Sequence, residues 1–166
     1  MIKGKYILGN DDISVPVSIR KEVFSDEFKL CGFSESPTDN YAVFCVVYFE
    51  RQPVASSRIY FDGEKFVIDC LCVKKEWRNK KIGDFLLRIS LLKASEFTGV
   101  IYTYALADSS GFFLRYGFED CQKDGFIGKI PVKQLKIDRS KIDFLNGCTS
   151  CKSCKKCADG AMNDKI

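Results

Sequence analysis

The sequence predicts a mixed α/β fold in which one sheet lies between helices. Apolar runs rich in β-branched and aromatic residues alternate with helical segments, three of these runs follow one another as a meander, and 166 residues suffice for one domain. The predicted order is strand, helix, three strands, helix, strand, helix, strand. Hydrophobic residues make up 46% of the chain and charged residues 29%, so a packed core is expected rather than disorder.

The first strand and the first helix follow from local composition. YILG at 6–9 reads as a short strand. In 15–30, Ile19, Val23 and Phe28 recur near helical spacing and a proline suits the first turn. We therefore expect an amphipathic helix there.

Three strands are then expected as a meander. After the polar loop 34–40 they occupy 41–49, 53–61 and 65–73, and a turn separates the last two. The first of them is apolar almost throughout, as in a strand that is buried on both faces.

The second half of the chain is expected to alternate helix and strand. A helix from Asp84 ends at Gly99, a strand follows at 100–106, a short helix closes at Gly117, and a last strand lies at 126–137. The inward face of the longer helix is marked by Phe85, Leu86, Ile89 and Leu92. The candidate caps of the shorter helix are Asp108 and Ser109.

Composition limits the chemistry and the location. The net charge of +4 is mild, which suits a local anionic ligand better than a nucleic-acid duplex. The chain contains no histidine, so a catalytic or metal-binding histidine is excluded. The N-terminal stretch lacks the apolar region of a signal peptide and no apolar run is long enough for a membrane span, which predicts a cytoplasmic protein.

The stretch CVKKEWRNKKIGDFLL at 72–87 joins a strand to a helix through a basic turn that contains a glycine. Unpaired amides at a helix N-terminus bind phosphate groups, a glycine allows close approach, and lysines add attraction. The turn is therefore a candidate phosphate site, with a solvated basic turn as the alternative.

Residues within this stretch resemble the cofactor motif of the GNAT superfamily of acetyltransferases. Val73, Arg78, Ile82 and Gly83 fall on matching positions, and FFLRYGFED at 112–120 is similar to a second motif of the family. The resemblance covers roughly residues 1 to 135. It implies the GNAT fold, a mixed and mostly antiparallel sheet flanked by helices, with a V-shaped split between the fourth and fifth strands.

The resemblance also implies an acetyl-CoA-dependent N-acetyltransferase in which an amine attacks the thioester directly. The fourth strand would pair with the pantetheine arm, and the amides of the basic turn would hold the pyrophosphate. The cofactor-binding residues it implies are Leu71, Cys72, Val73, Arg78, Asn79, Lys80, Lys81, Ile82, Gly83 and Phe113. The expected acetyltransferase domain is 1–138.

Two positions depart from the family pattern, and they bear on the catalytic residues. Lys81 replaces the middle glycine of the motif, which costs strain if its φ is positive; alternatively, its side chain adds a cation near the phosphates. Phe113 replaces the tyrosine that serves as general acid, so Tyr116 and Tyr104 are the candidates for that role. Asp69 is the candidate base, directly or through water, and pairing with a neighbouring basic residue is its alternative role.

Strand alternation would place Asp69 on the same face as Val67, Leu71 and Val73, with Cys70 and Cys72 opposite as small buried residues. The acceptor is expected to be a small-molecule or peptide amine, bound near loop 34–40 and the first helix. Three acidic residues there can attract a cation or can simply be solvated: Asp26, Glu27 and Glu35. A homodimer is left open, and the dispersed lysines do not predict nucleic-acid binding.

The segment 139–166 is interpreted as a cysteine-rich tail outside the resemblance. Its thiols repeat every third residue, at Cys148, Cys151, Cys154 and Cys157. Such a set can hold zinc or an iron–sulfur cluster, form disulfides, or remain passive. This tail and the two departures keep an alternative function open, a non-catalytic CoA or acyl-CoA sensor whose tail responds to metal or redox state.

Overall fold

The computed structural model describes residues 1–33 and 35–144. It confirms the α/β fold class, with seven strands in one sheet of order β1-β2-β3-β4-β5-β7-β6. Neighbouring strands are antiparallel except for β4 and β5, which are parallel. The strands are β1 Ile2–Leu8, β2 Val43–Phe49, β3 Gln52–Phe61, β4 Phe66–Val73, β5 Val100–Leu106, β6 Glu119–Ile127 and β7 Ile130–Asp138.

Helices cover both faces of this sheet. α1 (Ser14–Arg20) continues directly into a π-helical segment (Lys21–Glu27) and packs on one face, while α2 (Ile82–Ala94) packs on the other. α3 is a short helix at Ser110–Arg115, and Pro37–Tyr41 forms a 3-10 helix before β2. The helices among the described residues are too short or too polar to cross a membrane.

The expected inward faces of two helices are partly wrong. Phe28 is 51% exposed and Phe24 is buried in its place, because the π-helical turn after Arg20 changes the residue spacing that a regular helix would have. Leu92 is also exposed, while Leu86, Leu87 and other α2 residues fill the core. The helix ends at Ala94, so the expected end at Gly99 is wrong as well.

The last part of the sheet contains one strand more than the sequence predicted. The stretch expected as a single strand at 126–137 is the turn and second arm of a hairpin formed by β6 and β7. Gly128 has a φ of +63° at the turn, a conformation that glycine adopts without strain. β6 is mostly polar and lies at the sheet edge, which explains why its apolar signal is weak.

A bulge in β4 contradicts the simple alternation expected along that strand. Ser56 pairs with Cys72 and Arg58 pairs with Asp69, so the single residue between them opposes two residues of β4. Cys70 has a φ of +49° at this point. The extra residue leaves Asp69, like Cys72, on the α1 side of the sheet, whereas Leu71 and Val73 pack toward α2.

Candidate functional site

The sheet opens between β4 and β5. The two strands pair only from Phe66 opposite Ile101 to Ile68 opposite Thr103, and beyond that point β5 pairs with β7 alone. The expected V-shaped split is therefore confirmed. It leaves one side of β4, from the bulge to Val73, without a strand partner.

A cleft of about 680 Å³ lies at the open end of this split. Its walls come from β4, α3, the end of the π-helical segment and the start of β7, and they are mainly apolar. Six of the residues predicted to bind cofactor line this cleft, namely Leu71, Cys72, Val73, Arg78, Gly83 and Phe113. An elongated ligand with an apolar arm fits such a wall chemically.

The basic turn at the head of the cleft has the backbone geometry of an anion site. Asn79 and Lys81 both have positive φ, of 63° and 58°, so the strain expected at Lys81 is present. The first bond of α2 runs from the Phe85 amide to the Lys81 carbonyl. Within the described chain, the amides of Ile82, Gly83 and Asp84 at the start of α2 make no hydrogen bond, which leaves them available to an anion.

The side chains of this turn are arranged around Trp77. The Lys80 ammonium lies 4.6 Å from the centre of the Trp77 ring, and that ring packs against Phe49. Ile82, the first residue of α2, is buried in the core and fixes the start of the helix. The one tryptophan of the chain therefore lies beside the candidate phosphate site.

Arg78 bridges the two sides of the cleft. Its Nε donates to the Val73 carbonyl at 3.0 Å, and its two terminal nitrogens each donate to Glu27 at 2.6 Å. The guanidinium also lies 5.2 Å from the ring of Phe28. Hydrogen bonds from Arg78 hold the pKa of Glu27 below its ordinary value, so this carboxylate is charged at neutral pH.

A second cavity, of about 530 Å³, lies on the α1 side of the sheet. Its base is a chain of buried charges that joins four elements: Arg20 of α1, Asp39, Arg58 of β3 and Asp69 of β4. Arg20 donates to both oxygens of Asp39 at 3.1 and 2.6 Å. Arg58 donates to Asp39 at 2.6 Å and to both oxygens of Asp69 at 2.8 and 2.6 Å.

This network fixes the charge state of its members and of a neighbour. Burial opposes ionisation of Asp39, but hydrogen bonds from Arg20 and Arg58 outweigh it and keep the pKa of Asp39 below its ordinary value. Burial and the charge of Asp69 raise the pKa of Tyr60, which lines the same cavity. Asp39 is thus ionised and the Tyr60 phenol is neutral at physiological pH.

The two cavities approach each other at the apex of the split. A space of about 50 Å³ lies between them, and its walls include Phe33 and Asp69 from the second cavity, Leu71 and Phe113 from the cleft, and Tyr104. Room of this size suits a few heavy atoms and no more. A reactive group carried along the cleft would meet a molecule from the second cavity at this point.

The structure brings two of the three predicted catalytic residues to this apex. Asp69 and Tyr104 both border it, although both oxygens of Asp69 accept bonds from Arg58, the pairing that stood as its alternative role. Tyr116 instead donates its phenol proton to Asp84 in the first turn of α2. Phe113 occupies the apex with its ring edge-on to Phe112 and Phe118.

The cysteines of β4 are poor nucleophiles. Burial raises the pKa of Cys72 to about 11, and it raises that of Cys70 well above the ordinary thiol value. Both groups are therefore thiols at neutral pH, and the thiolate is the reactive form. Transfer through an acyl-cysteine is disfavoured on this ground.

Several residues of the site escaped the sequence analysis. Arg20 and Asp39 gave no signal, because the partners in their shared network lie 19 positions away in the chain. Glu27 was considered only as a residue that attracts a cationic acceptor, whereas the structure pairs it with Arg78, 51 positions away. Arg58 did give a signal, which the sequence analysis did not use. An arginine inside an apolar strand requires a buried partner of opposite charge.

The tail cysteines Cys148, Cys151, Cys154 and Cys157 lie outside the described residues. Within 1–33 and 35–144, no group of three or more cysteine or acidic side chains is placed to hold a metal ion.

Comparisons with known proteins agree with this geometry. Residues 40–120 match the family model for the acetyltransferase (GNAT) domain. An acyl-CoA N-acyltransferase from Pseudomonas aeruginosa superposes with a TM-score of 0.72 at 18% identity, over 82% of this chain and 99% of that one. ElaA of Escherichia coli gives 0.73 at 19% identity, over 83% and 100%.

A more distant likeness is to the CoA-dependent acyl-homoserine lactone synthase BjaI, solved with SAM and isopentyl-CoA. Its TM-score is 0.68 at 12% identity, over 85% of this chain and 86% of that one. At these identities the solved structures show a shared fold. A comparison of the sequence with curated proteins finds no match.

Proposed function

Because the chain belongs to the GNAT superfamily, we propose that it is an acetyl-CoA-dependent N-acetyltransferase that acts on a primary amine. The observation that carries this proposal is the meeting of two cavities at the split between β4 and β5. One has an amide-rich basic turn at its head and suits CoA, and the other suits an acceptor. The small space between them favours acetyl over a long acyl chain, which would have to displace phenylalanine rings.

In the proposed reaction the amine enters from the second cavity, loses a proton, and attacks the thioester carbon. A carbon–nitrogen bond forms, the carbon–sulfur bond breaks, and CoA leaves as a thiolate that takes up a proton. Backbone amides on the side of β4 that has no strand partner beyond Ile68 would stabilise the negative charge that develops on the carbonyl oxygen. Direct attack agrees with the protonated state of the neighbouring thiols.

Asp69 is the proposed base, acting directly or through water. Each carboxylate oxygen has two acceptor sites, and Arg58 uses one site on each, so a water can still bind there. Tyr104 is the proposed acid because it borders the same space, where its hydroxyl also interacts with Asp62 and Lys65. Tyr116 does not border that space, and its bond to Asp84 directs its phenol to α2. Asp69→Asn should remove the base limb of the pH–rate profile, an effect that a purely structural Asp69 would not produce.

The test begins with the fluorescence of Trp77, which lies beside the turn. Acetyl-CoA should quench it in a saturable way, and a panel of primary amines should accelerate release of free CoA. Quenching without acceleration by any amine would refute the enzyme and favour the alternative, a CoA or acyl-CoA sensor. Absence of both quenching and a thermal shift would refute binding itself.

A further inference from the structure

We infer that the second cavity selects an acceptor with two cationic centres, such as a linear diamine, and that Glu35 binds the ammonium that does not react. This inference rests on the proposed function, because it names the acceptor class of the same site. The cavity, its charges and its aromatic walls each contribute to it.

The charges of the buried network, which includes Asp39 behind the cavity wall, cancel one another, and Glu35 is the further charged residue that lines the cavity. Arg20 and Arg58 are balanced by Asp39 and Asp69 through the hydrogen bonds of the buried network. Glu35 also lines the cavity, and it has no ion pair within the part of the chain that the structure describes. Tyr60 adds no charge because its pKa is raised.

The same arrangement disfavours an acceptor that carries a carboxylate. Such a group would need a cation in the wall, and the two lining arginines already donate to carboxylates at 2.6 to 3.1 Å. An added anion would also approach Glu35. Cations, by contrast, gain from aromatic rings, and the rings of Phe33 and Phe126 line the cavity. The rings of Tyr60 and Tyr104 also line it, but they already lie beside Arg58 and Lys65.

Glu35 differs from the two other acidic residues that the sequence offered. Glu27 is bound to Arg78 at the cofactor cleft, and Asp26, which is exposed as Glu35 is, does not line the cavity. Asp26→Asn is therefore a matched control for Glu35→Gln, because each variant removes one negative charge from the same side of the protein.

The experiment compares three acceptors with the same carbon chain: 1,4-diaminobutane, butylamine and 4-aminobutyrate. With acetyl-CoA and the full chain, kcat/KM should be highest for the diamine and lowest for the amino acid. Glu35→Gln should lower the value for the diamine about fivefold, the upper range for a solvent-accessible ion pair, and leave butylamine unchanged. Asp26→Asn should change neither value.

Equal use of the diamine and butylamine, preference for 4-aminobutyrate, or the same effect from both variants would overturn the inference. Titration calorimetry with the diamine separates this failure from failure of the proposed function. If no amine is acetylated, the proposed function fails. If Glu35→Gln weakens diamine binding, the proposed binding site is still supported. If Glu35→Gln leaves diamine binding unchanged, the inference is refuted.

Discussion

Glu27→Gln should tighten the binding of acetyl-CoA. Arg78 is predicted to face the pyrophosphate, yet both of its terminal nitrogens donate to Glu27 across the cleft. A phosphate group that binds this guanidinium must compete with the carboxylate. Glutamine has the same shape but carries no charge, so the substitution weakens the competitor without removing packing.

The size of the effect follows from the exposure of the pair. Two bonds of 2.6 Å to a charged partner would be worth several kcal/mol if they were buried, but the side chains of Arg78 and Glu27 are 31% and 27% exposed. For such a solvent-accessible pair about 1 kcal/mol is appropriate, which corresponds to an affinity gain of about fivefold.

Isothermal titration of acetyl-CoA into the wild type and the variant measures this gain. Glu22→Gln is the control, because Glu22 lies on the same helical segment and pairs with Lys74 at 2.8 Å rather than with Arg78. Equal gains in both variants would indicate a general charge effect. Weaker binding in Glu27→Gln would refute the reasoning, since Glu27 would then be orienting Arg78 for the phosphate.

Three further predictions concern stability. Gly9→Ala should lower the free energy of unfolding, measured by urea titration, by about 3 kcal/mol, because the added Cβ would lie 1.9 Å from the Asp39 carbonyl oxygen. Gly99→Ala is the control: a Cβ there has open space, so the free energy of unfolding should hardly change. Asp39→Asn should cost about 3 kcal/mol at pH 7, since two buried arginines lose their carboxylate. The folded pKa of Asp39 is depressed, so its contribution is complete above the unfolded pKa near 4 and is lost as the pH falls below it. The difference in unfolding free energy between the wild type and Asp39→Asn should therefore shrink as the pH is lowered. A difference that stays constant would contradict a depressed pKa of Asp39. Lys81→Gly should raise the free energy of unfolding by about 0.5 kcal/mol and so raise the urea midpoint, because relief of the left-handed strain exceeds the added entropy of the unfolded chain. An unchanged or lower midpoint would count against strain at Lys81.

Features that depend on neighbouring residues were predictable from the sequence. The turn before α2 was identified because a strand, a basic run and a glycine follow one another within a few positions. The strain at Lys81 was predictable from the motif for the same reason. Tyr104 was named as a candidate acid on the predicted strand 100–106, and the structure has it on β5 at the border of the apex.

Features that depend on pairing across the chain were not predictable. The face on which Asp69 lies changes at the bulge, which exists only because β3 and β4 pair in that register. The π-helical segment that exposes Phe28 likewise has no local marker. The Arg78 bond to Glu27 spans 51 positions, and neither residue indicates the other.

The buried network ties the wall of the second cavity to the apex of the split between β4 and β5. Asp39 binds two arginines and Arg58 binds two carboxylates, so loss of one member leaves another buried charge without its partner. Asp69 closes this chain next to the bulge, where β4 leaves β5. In the proposed reaction, a rigid acceptor wall would thus position the strand whose amides face the thioester. The same coupling means that a slower Asp69 variant is not by itself a sign of a lost base, and only its pH–rate profile separates catalysis from support.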